Sequence, residues 1–248
     1  MAVLRLKVLL ALTAAFALFS PALAEPGSPV VAEFFAGTKV AAGSAKKAVE
    51  SADAFFSGLK KAFPNENLIL LRENGEVSGL SRTSADFLTY RNVSYRITNK
   101  LPLNGQPLLI LDGVMPVKSE SGAVSTALAQ LKKERRQPMK LEAMRSKERI
   151  KVKVDVVFRE HFSEGTRILL LVMESAAAPA PVLQTVDLGY LTPGHRGSLE
   201  QVIKLDKSWF DGRAPMPLRV VALLQREDDK HILSAAQAEV AVKAYALF

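Results

Sequence analysis

Not one of the 248 residues is cysteine. That excludes disulfides, thiolate nucleophiles and cysteine-ligated metals, and it leaves stability to apolar burial. Histidine is nearly as scarce. His161, His195 and His231 stand far apart, with no H-E-x-x-H pair among them, which gives no metal-site pattern. No G-x-S-x-G elbow, Walker loop or G-x-G-x-x-G turn occurs, so the common hydrolase and nucleotide-binding signatures are missing. Aromatic residues make up 7% of the chain and do not interleave with its basic stretch, which argues against nucleic-acid binding. No apolar run reaches the roughly 20 residues that a membrane-spanning helix needs.

What the chain does have begins with a leader pattern. Arg5 and Lys7 precede an apolar run, Val8 to Phe19, and Ala22-Leu23-Ala24 offers a small-residue cleavage site. Residues 1–24 are expected to be a signal peptide cleaved after Ala24, with the alternative of an uncleaved anchor. The expected location is periplasmic or secreted. Cleavage would remove two basic residues and no acid, lowering the net charge from +8 to +6.

The next stretch organises the rest. Val30 to Phe35 is apolar except for Glu33 and predicts a strand covered on both faces. Ala36 to Gly43 is a loop of small residues. Ser44 is expected to cap a helix to about Phe63, whose apolar stripe includes Phe55, Phe56 and Leu59. Asn67 to Arg72 predicts a second strand, Ser84 to Ile97 a second helix, and Leu108 to Leu111 a third strand. Asp112-Gly113 signals a hairpin into Val114 to Lys118. A third helix is expected from Gly122 to Arg135. The first half therefore reads βαβαββα.

The character changes after Gln137-Pro138. Ile150 to Val156 alternates between apolar and charged residues. Thr166 to Met173 is nearly all apolar. Further β-type runs are Leu183 to Leu188, Leu199 to Leu205, Leu218 to Leu224 and Ile232 to Val242. Such short strands between Asp, Gly and Pro turns predict a β-sandwich, immunoglobulin-like in type. The expected organisation is a domain over 25–137, a basic linker over 138–149, and the sandwich over 150–248.

The strand, loop and helix opening, followed by a proline-led strand and a hairpin, is similar to the thioredoxin order. The whole chain after the leader resembles a bacterial secreted family, domain of unknown function twelve-twenty-three. Glu33-Phe34-Phe35 resembles the family's E-L-F strand end. Gln106 to Gly113 resembles its T-P-Q-M-V-V-D-G segment. Phe87, Arg91 and Tyr95 resemble the preceding helix. Arg219 to Gln225 and Ile232 to Ala236 resemble the closing hairpin. The resemblance implies an α/β thioredoxin-like domain followed by an all-β domain, with a C-x-x-C at the opening loop. In this chain those two cysteine positions fall on Val40 and Gly43, so the implied redox activity is not carried over. It also implies a cis Pro107 facing that loop, where the residues alone leave a trans strand-opening proline.

Two surfaces are candidates. The first is the vacated cleft, where the helix start at Ser44 and the backbone at Gln106 and Pro107 are expected to hold an extended peptide or small anion of the envelope. The second is the basic stretch from Lys132 to Lys153, with ten basic residues against Glu134, Glu142 and Glu148. It includes Lys132, Lys133, Arg135, Arg136, Arg145 and Lys147. Either it meets an anionic envelope surface, or it is a solvated linker at a helix end. Gly194-His195-Arg196-Gly197 reads as a turn and Trp209-Phe210 as a packing anchor. The expected function is a redox-inactive, non-enzymatic binding or scaffold protein, with no cofactor. The alternative is a relative of the thiol-disulfide oxidoreductases with residual or lost activity. A hydrolase would need residues that no motif supplies.

Overall fold

The computed structural model describes residues 29–35, 42–64, 67–73, 82–103, 107–117, 121–131, 138–156, 165–175, 180–191, 197–205 and 217–242. The leader, Val40, Gln106, Lys132, Lys133, Arg135, Arg136, His161, His195, Arg196, Trp209 and Phe210 lie outside them, as does the side chain of Ser44.

Among the described residues, twelve strands and three helices run in the order β1 (Val30–Phe35), α1 (Ala42–Ala62), β2 (Leu68–Glu73), α2 (Arg82–Thr98), β3 (Leu108–Leu111), β4 (Met115–Pro116), α3 (Ser121–Leu131), β5 (Met139–Ser146), β6 (Arg149–Val156), β7 (Thr166–Glu174), β8 (Ala180–Tyr190), β9 (Gly197–Lys204), β10 (Leu218–Arg226), β11 (Ile232–Glu239) and β12 (Ala241–Val242). The βαβαββα order of the first half is as expected. Ser44 is the third residue of α1 rather than its cap, because the helical backbone already begins at Ala42.

The strands form two sheets, one of eight in the order β11-β10-β7-β8-β2-β1-β3-β4 and one of four in the order β12-β5-β6-β9. All six residues of β1 are buried. It lies between parallel β2 and antiparallel β3. One face of this part of the sheet packs on α1 and α3 through Val30, Ala32 and Phe34 against Phe56, Leu59, Val124 and Leu128. The second half is a β-sandwich. Ile150, Val152, Val154 and Val156 of β6 pack against Ile168, Leu170 and Val172 of β7 and Val220, Ala222 and Leu224 of β10.

The expectation of two separate domains with a linker is corrected on two counts. Residues 139–146 are not linker but a strand, paired with β6 over eight consecutive positions from Met139↔Val156 to Ser146↔Arg149. The strand was concealed because its inward row, Met139, Leu141, Ala143 and Arg145, is small or charged towards its end. Second, the large sheet does not stop at the boundary. β2 pairs in parallel with β8 at Leu71↔Ala180 and Arg72↔Pro181. One buried cluster joins Val31, Ile69, Leu71 and Leu88 of the first half to Leu169, Leu171, Val221 and Leu223 of the second. The physical reason is that β7 and β10 have no solvent face. Their even-numbered residues pack on the four-stranded sheet, and Leu169, Leu171, Val221 and Leu223 meet the layer that contains α2.

A shared core predicts shared unfolding. In denaturant, far-ultraviolet circular dichroism and the fluorescence of Trp209 should give coincident midpoints in a single transition. Two separated midpoints would show that the halves are independent.

Candidate functional site at the junction of the two halves

β1 carries one charge, Glu33, and that side chain is wholly buried. Its partners come from α2. Arg91 donates from Nε at 2.9 Å and from Nη2 at 2.7 Å to Glu33 Oε2. One helical turn later, the Tyr95 hydroxyl donates to Glu33 Oε1 at 2.7 Å. The i, i+4 spacing puts both side chains on the face of α2 that meets the sheet. Strand β10 completes the cluster. Gln225 Oε1 accepts from Arg91 Nη1 at 2.8 Å, and Gln225 Nε2 donates to the Tyr95 hydroxyl at 2.8 Å and to the Lys230 carbonyl at 2.6 Å. Phe35 packs edge-on against the Tyr95 ring at 5.5 Å, and the Arg91 guanidinium lies 5.1 Å from the same ring centre.

The Asp112-Gly113 turn does more than reverse the chain. Asp112 Oδ1 accepts from the Val31 amide at 2.8 Å, and its own amide donates to the Val31 carbonyl at 2.8 Å. Its carbonyl accepts from the Ile232 amide at 2.8 Å, reaching the hairpin between β10 and β11. Gly113 sits at φ +76°, and a Cβ there would meet the Lys230 carbonyl oxygen at 1.9 Å. Asp112 and Lys230, on opposite sides of this contact, both hold positive φ, at 45° and 63°. Two strained non-glycine residues face each other where the two turns dock.

Above the buried cluster is a shallow depression between Phe87, Tyr90 and Ser94 of α2 and Arg167, Leu169 and Lys230. Lys230 Nζ donates to Glu227 Oε1 at 2.6 Å and lies 5.9 Å from the Tyr90 ring centre. Arg167 pairs with Glu227, and with Asp187 at 2.7 Å. The cations that line the depression, Arg91, Arg167 and Lys230, are each matched by a carboxylate. Burial holds the Lys230 ammonium below its ordinary range. A hydrogen bond from Ser94 and then the Lys230 charge hold the Tyr90 phenol below its own.

The sequence-predicted site residues do not gather here. Pro107 is exposed just before β3, and Gly43 lies near the start of α1. Arg145 is corrected as a surface anion ligand: it is buried on the inward row of β5, its Nε donating to the Lys147 carbonyl at 3.1 Å. Lys147 is exposed at the β5–β6 turn, with φ 53°. The other described basic residues of that stretch line the outer face of the small sheet, where Lys151 pairs with Glu200 at 2.8 Å and Lys153 with Asp155 at 3.4 Å. His231 lies in the β10–β11 turn beside Arg226. Among the described residues, no group of three or more acidic or histidine side chains could hold a metal ion, and no helix is long and apolar enough to cross a membrane.

Three tests follow from this geometry. Arg91→Met leaves Glu33 buried without its counter-ion and should cost about 3–5 kcal/mol of stability by denaturant titration. Gly113→Ala should cost at least about 2 kcal/mol, through backbone strain and the clash with Lys230. Gly189→Ala, at φ +84° but in open space, should cost distinctly less. For ionisation, Lys230→Met removes a cation that favours the phenolate, so the Tyr90 pKa should rise. A tyrosinate difference-absorbance titration, with Tyr90→Phe as the subtraction, reads that shift directly.

No protein-family model matches the chain, and no curated protein matches it. Among solved structures, a protein from Agrobacterium tumefaciens is 12% identical with a TM-score of 0.49, over 90% of this chain and 98% of that one. A domain of the outer membrane lipoprotein Omp28 from Porphyromonas gingivalis is 9% identical with a TM-score of 0.32, over 44% of this chain and 91% of that one. Likenesses of this extent leave the function to be argued from the chain's own chemistry.

Proposed function

We propose that residues 25–137 form a thioredoxin-like unit without thiol chemistry, and that the chain acts as a non-enzymatic binding or scaffold protein of the bacterial envelope. The strand order β2-β1-β3-β4, with β2 parallel to β1 and the rest antiparallel, supports the thioredoxin-like reading. So do α1 and α3 on one face and α2 on the other. The leader pattern in residues 1–24 supports the envelope.

The observation that carries the functional half is the absence of sulfur chemistry. Thiol–disulfide exchange needs a thiolate to attack and a second thiol to resolve the mixed disulfide. Val40 and Gly43 stand at the two positions that the family resemblance assigns to those thiols, and no cysteine elsewhere replaces them. What the scaffold retains is backbone. The first turn of α1 offers N–H groups that the helix itself does not use, and Pro107 stands exposed just before β3. These groups suit an extended peptide or a small anion held without covalent chemistry. On this reading the cleft recognises its ligand in oxidising and reducing conditions alike.

The test is a pair of experiments. The purified chain should not reduce insulin in the presence of dithiothreitol beyond the uncatalysed rate. The double variant Val40→Cys, Gly43→Cys should close an intramolecular disulfide under mild oxidant, since thioredoxin geometry puts the two Cα atoms within roughly 4.4–6.8 Å. Insulin reduction by the wild-type chain would overturn the non-redox reading. A double variant that stays reduced would overturn the placement of the loop.

A further inference from the structure

The four-stranded sheet ends in β9, and that edge differs from the others. The β4 edge is two residues long and contains Pro116, and β12 is also two residues long. β11 lies against β5. These are the ways in which proteins blunt an edge. β9 is eight residues long, has no proline, and pairs with β6 from Arg149↔Lys204 to Val156↔Gly197 with no register shift. Among the described residues, no strand pairs with its other side.

The backbone directions follow from the ladder. The Leu205 amide donates to the Glu148 carbonyl, continuing the β6 pairing, so the odd-numbered residues of β9 turn their N–H and C=O groups towards β6. The even-numbered residues, Ser198, Glu200, Val202 and Lys204, turn theirs outward. Two of those outward carbonyls take only weak side-chain donors: Gln201 Nε2 reaches Val202 O and Gln184 Nε2 reaches Lys204 O, each at 3.2 Å. The four side chains are all exposed. Val202 is apolar and 52% exposed on a charged sheet face, next to Met144 at 50% across Lys151.

We propose that β9 is a homodimer edge, pairing antiparallel with β9 of a second copy about a two-fold axis at Val202. An isologous edge must be complementary to itself. Centring the pair on Val202 sets Glu200 opposite the partner's Lys204, and Lys204 opposite the partner's Glu200, with the two valines in contact between them. Centring on Glu200 or on Lys204 would set like charges face to face. The intermediate registers pair neither charge with its opposite. The outward backbone groups, the exposed valine and the order of charges therefore select one partner, a second copy, and one register. The result is a continuous eight-stranded sheet from two four-stranded ones, independent of the cleft discussed above.

Light scattering coupled to size exclusion, with sedimentation equilibrium, tests this on the purified chain. The wild type should be dimeric in a concentration-dependent way. Val202→Pro removes an outward N–H that β6 does not use, and should weaken the dimer at least about tenfold. Glu200→Lys and Lys204→Glu should each dissociate the dimer. An equimolar mixture of those two variants should associate again, because every cross-edge pair in the heterodimer is then of opposite sign. A wild type that stays monomeric to millimolar concentration overturns the proposal, as does a dimer indifferent to Val202→Pro. Failure of the two charge variants to recombine overturns the register.

Discussion

The interaction on which the rest depends is the buried pair of Glu33 and Arg91. Taking both charges out of water is costly, and the mutual attraction repays it only when the remaining hydrogen-bond capacity is filled. Here it is filled, by Tyr95 on the second carboxylate oxygen and by Gln225 on the guanidinium. The four side chains come from β1, α2 and β10, so the cluster is complete only when the two halves of the chain are in place together. An apolar cluster would hold the layers as well but would tolerate sliding. Directional bonds among four fixed positions do not, because a shifted register would leave a buried charge unpaired.

The same constraint explains why the secondary structure was legible in the sequence and the domain organisation was not. Strand alternation placed β6 correctly, and the run from Val30 to Phe35 announced a strand covered on both faces. Thr166 to Met173 and Val220 to Leu224 carried the same signal. In a two-layer sandwich each strand should alternate, as β6 does with its outer face in water. Two nearly continuous apolar strands need a third layer, and the layer containing α2 is that third layer. The signal lay in the contrast between β6 and β7. A clean boundary at Pro138 is incompatible with that contrast, because β7 and β10 bury their second face against the first half.

The candidate site was half legible for a related reason. Glu33, Arg91, Tyr95, Asp112, Gly113 and Gln225 all fall within the short segments that carry the family resemblance. The segments are separated by up to 192 positions in the chain, counted from Glu33 to Gln225. Nothing local distinguishes a glutamate that will be buried from one that will be solvated, so Glu33 read as a lone charge in an apolar strand. A single charge within a run otherwise fit for burial is itself the clue, since it demands a cation from elsewhere. The basic stretch misled for the opposite reason. Its charges are closely spaced in sequence, but among the described residues period-two geometry sends Arg145 inward and Lys151 and Lys153 to a face where Glu200 and Asp155 answer them.

The same division sets which substitutions the architecture tolerates. The Glu33 cluster is buried, hydrogen-bonded at both carboxylate oxygens and shared with β10. Replacing Arg91 or Gln225 would break the junction. The junction is therefore where the fold is least open to change, because truncating one member leaves a buried charge or hydrogen-bonding group without its partner.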